Sequence, residues 1–291
     1  VSLLSFVRDG EVVDPQGLKS ICRSVQTVDW RSYNPRQAKA LLAFLSPRPR
    51  SLVATYSRAM KTLVRTSLRD ENPDLLIASQ VSTAPYAVNE GAAPRILEEV
   101  ELGVIHDAAE RSASRLVCWR RGLTWFKMRR YVASLARRFD ASTVVSERER
   151  SILSRSAPGY DSTYLVPNGV DLECFAHGIA QPQPNNLIYN GALTYGANYD
   201  AMDHFLRRIF PLIRAEVPRT VLRITGSTAG VDVKSLPLND HVILTGYLPD
   251  IRPAVAKAWA CVVPLRTGGG TRLKILEAMA LGTPVISTSN G

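Results

Sequence analysis

The chain has 291 residues, 45% of them hydrophobic and 21% charged, with a net charge of +10. That length suggests two domains, each able to bury its own core, and the composition is that of an ordinary globular chain. No apolar run reaches the roughly 18 residues that span a bilayer, and the basic balance points to acidic partners such as nucleic acid, anionic lipid or phosphorylated substrates.

Residues 1–7 read as a buried strand. Helical patterns follow at 35–44 and 56–68, and strands at 73–78 and 94–97. A long helical region at 112–139 is rich in Arg and aromatic residues, with Gly122 as an expected interruption. A strand at 141–145, a helix at 147–154 and a strand at 164–166 close the first half. The segment 176–185 lacks periodicity and reads as linker, giving an expected division into a domain at 1–170, a linker at 171–185 and a domain at 186–291.

The second half is more regular. Strands are expected at 187–190, 221–225, 242–245, 261–265 and 285–287, with helices at 199–216, 249–258 and 271–281. Pro211 is expected to kink the first of these helices. Strands alternating with helices imply βαβ units and a parallel sheet covered on both faces. The 1–7 strand and the one at 285–287 lie at the very ends, so further segments are expected beyond both.

The densest chemistry lies in VPLRTGGGTRLKILEAMALG, residues 263–282. A strand runs into Gly268, Gly269 and Gly270, and a helix begins near Thr271. In a parallel sheet ligands bind at the carboxyl ends of the strands. A glycine loop lets backbone N–H groups approach an anion, and the helix start adds partial positive charge. Arg272 and Lys274 lie in the first turn, where cations oppose the helix dipole and make sense beside an anion. Thr271, Lys274 and Glu277 share one face, with Leu273, Leu276 and Ala280 expected to face the core. The alternative is an ordinary capped helix with a Lys274–Glu277 surface pair. The GxxxxGK[ST] spacing of a P-loop is absent.

This segment resembles the donor-site signature of family-4 glycosyltransferases, retaining enzymes of the GT-B fold. Its tail LEAMALGTPVI matches closely, and Glu277 stands at the second acid of the family's E-x7-E pair. Gly269 stands where the first acid would be, as in the branch that reads GGGTRLK. VPNGVD at 166–171 is similar to the segment leaving the family's first domain, and Gly191–Ala192 to its glycine turn near the diphosphate. The segment starting at Asn198 is like its following helix start, and VILTGYLPD at 242–250, with Gly246, Tyr247 and Leu248, like its base-pocket segment.

The resemblance implies an α/β GT-B architecture, two Rossmann-like lobes facing across a cleft. It implies sugar transfer from a nucleotide diphosphate-sugar to a glycan or lipid-linked acceptor, with retention. Arg272, Lys274 and the helix start would meet the developing charge of the leaving diphosphate, and Glu277 the ribose. A GT-B sugar-nucleotide epimerase and a non-catalytic nucleotide-sugar-binding module remain as alternatives.

In the first half, WRRGLTWFKMRRYVASLARR at 119–138 combines cations with Trp119, Trp125, Phe126 and Tyr131. It reads either as a solvated helix packed by its aromatics or as a helix on an anionic membrane or acidic acceptor, and less well as a nucleic-acid surface. Glu98, Glu99 and Glu101 follow a strand, and a carboxylate there could orient an acceptor hydroxyl; a surface cluster is the plainer reading. His106, a lone histidine in this half, is a candidate acceptor-side base or a structural residue. His177, His204 and His241 do not cluster with Cys, and no DxD occurs, so no metal is expected at the diphosphate and no cofactor beyond the donor substrate. Cys22, Cys118, Cys174 and Cys261 show no metal spacing and read as reduced thiols, which fits a cytoplasmic protein, peripheral at the inner membrane face if the basic helix binds there.

Overall fold

The computed structural model describes residues 1–7, 17–18, 20–30, 32–88, 91–110, 114–267 and 271–290. The chain forms two compact units, Val1–Val166 and Pro167–Gly291. The segment expected as linker therefore belongs to the second unit. There Phe175 packs on the core, and the Gln183 N–H donates to the Lys257 carbonyl at 2.8 Å.

In the first unit β1 (Ser2–Val7) and β2 (Ser24–Asp29) pair in parallel. β3 (Leu76–Ser79), β4 (Arg95–Glu98), β5 (Ala141–Val144) and β6 (Thr163–Leu165) form a second parallel sheet in chain order. Phe6 and Val28 pack with Met60 and Tyr86, which ties the small sheet to the helix Arg58–Glu71. That helix starts where the Ser57 hydroxyl accepts from the Met60 N–H and stops at Asn72, in the left-handed conformation.

β2 carries no expectation in the sequence, and neither do the short helices Arg50–Thr55 and Ala84–Ala87. The helix Arg115–Ala136 runs through Gly122 without a break. Each of its interior N–H groups still has its carbonyl one turn back, so a single glycine costs only about 1 kcal/mol there.

The second unit is one parallel sheet of order β11-β10-β7-β8-β9, formed by β7 (Asn186–Asn190), β8 (Val221–Thr225), β9 (Val242–Gly246), β10 (Ala260–Val263) and β11 (Val285–Ser287). Its strands read as unbroken apolar runs because both faces are covered. Leu187, Tyr189, Leu222 and Val262 point to one layer, with Met202 and Phe205. Ile188, Cys261 and Val263 point to the other, with Val255 and Ala278. The strand order doubles back between β7 and β10, so the loops after them leave in different directions and open a crevice.

At Pro211 the expected single helix is divided. The helix Gly196–His204 widens to a π-helical segment at Phe205–Ile209 before resuming at Phe210–Glu216, with Pro211 in its first turn. The widened turn removes the need for the N–H that proline lacks.

The four cysteines are free thiols: Cys22 and Cys261 are buried, Cys118 and Cys174 exposed. Among the described residues no helix is long and apolar enough to cross a membrane.

Candidate functional site

At the carboxyl ends of the sheet Gly191 follows β7, Gly226 follows β8, and Gly246 is the last residue of β9. The Gly226 N–H donates to the Gly246 carbonyl at 2.8 Å. Gly226 has φ +96°, and a Cβ there would lie 2.6 Å from the Ala192 nitrogen. Only glycine permits both that conformation and that approach. Tyr247 is exposed and Leu248 half-buried just beyond.

The helix after β10 is Leu273–Ala280. It begins later than expected, so Thr271 and Arg272 precede it and Lys274 lies in its first turn. Arg272 donates from Nε and Nη2 to the Asn290 carbonyl, at 3.3 and 3.0 Å. The expected core stripe of Leu273, Leu276 and Ala280 is not the one used. Ile275, Ala278 and Leu281 pack on the sheet, while Leu273 is 40% exposed. The helix is apolar on most sides, so its seat on β10 and β11, not its pattern, chooses the buried face.

That rotation brings Lys274 over the end of β7. Its Nζ donates to the Tyr189 hydroxyl and to Asn198 Oδ1, both at 3.2 Å. The Tyr189 hydroxyl donates to the same Asn198 oxygen at 2.7 Å, and Asn198 Nδ2 donates to the Ala192 carbonyl at 2.8 Å. A Cβ on Gly191 would lie 2.6 Å from the Lys274 ammonium, so glycine leaves room for the charge. Burial pulls the Lys274 amine down to about 8, assisted by Arg272 and opposed by Cys261 and Glu277. Beneath it, burial pushes the Cys261 thiol up to about 11.

Glu277 faces the same crevice. It accepts from Asn190 Nδ2 at 3.0 Å, and Asn190 in turn accepts from the Thr225 hydroxyl at 3.3 Å. Burial holds its carboxyl above the ordinary carboxylate range, against the pull of Lys274 and Asn190. Lys274 and Glu277 thus take their hydrogen bonds from β7 and the helix after it. Gly268, Gly269 and Gly270 lie outside the described residues.

Lys274, Glu277, Gly191 and Ala192 come together as the motif suggested. Tyr189, Asn190 and Asn198 join them although the sequence did not single out their side chains for the site. Tyr189 reads as a core residue, and its polar end becomes visible only once β7 and the helix after β10 are juxtaposed.

In the first unit His106 sits on the helix Gly103–Glu110. Its ring lies perpendicular to that of Trp125, with the centroids 5.1 Å apart, and contacts the carboxylates of Asp107 and Glu110, each at 3.5 Å. The three side chains could share a cation, although Asp107 is already paired with Arg148. The helix start is held by buried Glu149, which accepts from the Leu102 N–H at 2.7 Å and the Gly103 N–H at 3.0 Å. Glu149 carried no expectation from sequence. Glu98 closes β4, Glu99 adopts φ 51°, and Glu101 is exposed.

On the helix Arg115–Ala136, Trp125 and Tyr131 pack against the core, whereas Trp119 and Phe126 stay exposed.

No curated protein sequence matches the chain. Among solved structures, Anabaena HepE in complex with UDP-glucose aligns with a TM-score of 0.60 at 13% identity, over 100% of this chain and 81% of that one. Sucrose-phosphate synthase from Thermosynechococcus elongatus aligns with a TM-score of 0.62 at 16% identity, over 100% of this chain and 82% of that one. The pneumococcal O-GlcNAc transferase in complex with UDP and GlcNAc aligns with a TM-score of 0.58 at 14% identity, over 79% and 45% of the two chains. These likenesses show an α/β fold with parallel sheets, that of GT-B glycosyltransferases. The crevice residues of the second unit fall within the match to one family model, since residues 184–291 match that of the glycosyl transferases group 1 family.

Proposed function

We propose that the protein is a glycosyltransferase that moves a sugar from a nucleoside diphosphate sugar to an acceptor, with retention at the anomeric carbon. One observation carries this reading: a half-buried ammonium, Lys274, is suspended between neutral partners at the ends of β7 and the following helix, with a glycine beneath it. A buried cation without a carboxylate in direct contact is costly unless an anion completes it. A leaving diphosphate is such an anion, and its charge develops in the transition state, where a preorganised cation contributes most. Arg272 would add a second cation, and Glu277 would accept from a ribose hydroxyl. HepE binds UDP-glucose and the pneumococcal enzyme UDP with GlcNAc, which makes uridine diphosphate sugars the first donors to test.

The acceptor side is assigned to the first unit, with His106 and Glu101 as its candidate groups. We further propose that this unit works against an anionic membrane face in the cytoplasm. Leu116, Trp119 and Phe126 form an exposed apolar stripe flanked by Arg residues on the helix Arg115–Ala136, which supports that placement.

The test measures release of nucleoside diphosphate from UDP-sugars, with a membrane lipid extract as acceptor source. Lys274→Ala and Arg272→Ala should each weaken donor binding by about 1.5–3 kcal/mol, the scale of a charge-assisted hydrogen bond. Unchanged nucleoside diphosphate affinity in both variants would remove the site assignment. Donor binding without any acceptor-dependent turnover would favour a binding module.

A further inference from the structure

A second charged site lies wholly within the first unit. The segment at 35–61 folds beside the helix Arg115–Ala136 and is tied to it, since Lys127 Nζ donates to the Phe44 carbonyl at 2.7 Å. Arg50 braces the segment internally, donating to the carbonyls of Ala40 and Pro35 and lying 3.6 Å above the Phe44 ring. Between the segment and the helix run two cavities, of about 650 and 430 Å³, that share Arg48, Tyr56, Pro85 and Tyr131.

The cavity walls are one-signed. Lys39 and Arg58 line the first, Lys61, Arg130 and Arg138 the second, and Arg48 both. No Asp or Glu lines either one among the described residues. A third hollow of about 500 Å³ continues past Arg130 with Arg129, Arg137 and Arg155, again without a carboxylate. A concave surface lined by like charges focuses a positive potential, and an anion there relieves the repulsion. The floor is apolar, with Leu52, Val53 and Pro85 on one side and Val88 and Leu135 on the other. Tyr131 stands between the two cavities. Burial pushes its phenol up to about 12, against the pull of Arg48 and Arg138, so at neutral pH it is a hydrogen-bond donor.

From these walls we propose that the groove between residues 35–61 and the helix Arg115–Ala136 binds a phosphate-bearing ligand, its phosphate held by Arg48, Arg130, Arg138 and Tyr131 and its less polar body lying on Leu52, Val53 and Pro85. A phosphate monoester carries a charge of about −1.5 to −2, enough to balance several of these cations, and its oxygens match the arginine fork. The ligand is either a free phosphorylated molecule or a lipid headgroup. The proposal is independent of the donor site, since every residue it uses is in the first unit.

The experiment starts from Lys274→Ala protein, so that the donor site contributes no phosphate binding. Arg48→Gln with Arg138→Gln is compared with Arg208→Gln with Arg219→Gln, an equal change of charge at exposed positions of the second unit. Titration calorimetry with inorganic pyrophosphate and sedimentation with phosphatidylcholine vesicles, with and without phosphatidylglycerol, are the readouts. The groove pair should lose about tenfold or more in one of them, while the control pair stays within about twofold. Loss in the pyrophosphate titration identifies a free phosphorylated ligand, and loss confined to the vesicles a headgroup. Tyr131→Phe, which removes only the hydroxyl, should weaken the same readout with the melting temperature kept. Equal losses in the two arginine pairs, or none in either, overturn the proposal.

Discussion

The Lys274 ammonium lies 4.4 Å from the centroid of the Tyr189 ring and 3.2 Å from that ring's hydroxyl oxygen. The ring face and the oxygen both favour the charged amine, but both are neutral, and burial works against them. An ammonium has three N–H donors; Tyr189 and Asn198 engage two.

Donor affinity should therefore depend on pH in the alkaline range. Lys274 titrates at about 8 in the folded protein, well below the usual lysine range. Above that pH the amine is neutral, and a diphosphate must bring a proton with it. The dissociation constant for nucleoside diphosphate should rise about tenfold per pH unit between roughly pH 8 and 10. Calorimetry in buffers of different ionisation heat should show proton uptake on binding in the same window. For stability the sign is opposite. The unfolded chain binds the extra proton there, so this group's contribution becomes less unfavourable as pH rises from about 8 to 10. A flat affinity profile across the window would show that Lys274 does not meet the diphosphate.

Gly191→Ala should imitate loss of Lys274. The new methyl would sit 2.6 Å from the ammonium and 2.9 Å from Asn198 Nδ2, and the lysine, as a flexible chain end, must move away. Donor affinity should fall by about 1.5–3 kcal/mol, as for a lost charge-assisted hydrogen bond. Combining Gly191→Ala with Lys274→Ala should add little, because both act on one group.

Glu277→Gln should separate binding from folding. Gln keeps an oxygen to accept from Asn190 Nδ2 and loses only the charge. Nucleotide affinity should drop while the melting temperature stays nearly constant. A falling melting temperature with unchanged affinity would mark Glu277 as a structural residue.

Glu149 offers a test of stability away from the donor site. Glu149→Ala would strand the buried Leu102 and Gly103 N–H groups and unfasten the helix that carries His106. The expected cost is about 2–4 kcal/mol. Glu147→Ala, which removes an exposed pair with Arg150, should stay within about 0.5 kcal/mol in the same denaturant series.

Legibility from sequence followed burial. β7 and β10 are covered on both faces and read as apolar runs, so their places and the helix after each were evident. β2, SVQTVD, belongs to a two-stranded sheet with several exposed positions, and leaves no such run. The buried face of Leu273–Ala280 was misread because leucine, isoleucine, methionine and alanine surround most of that helix. The crevice was legible through its glycines and cations, which follow local rules. The neutral partners of Lys274 were not, because a tyrosine in a core strand and an asparagine in a helix start acquire their role only from a contact spanning 85 and 76 residues of chain.

The distribution of thiols gives the molecule a ready pair of spectroscopic handles. Cys118, in the first unit, and Cys174, in the second, are exposed, while Cys22 and Cys261 are buried. A maleimide should therefore label one position in each unit of the unmutated chain before it reaches the others. Donor and acceptor dyes on that pair would turn any nucleotide-dependent change in the separation of the units into a change in energy transfer. Cys261, whose thiol burial pushes up to about 11, would remain unlabelled until the second unit's core opens, so late modification at that position would time unfolding of the sheet beneath Lys274.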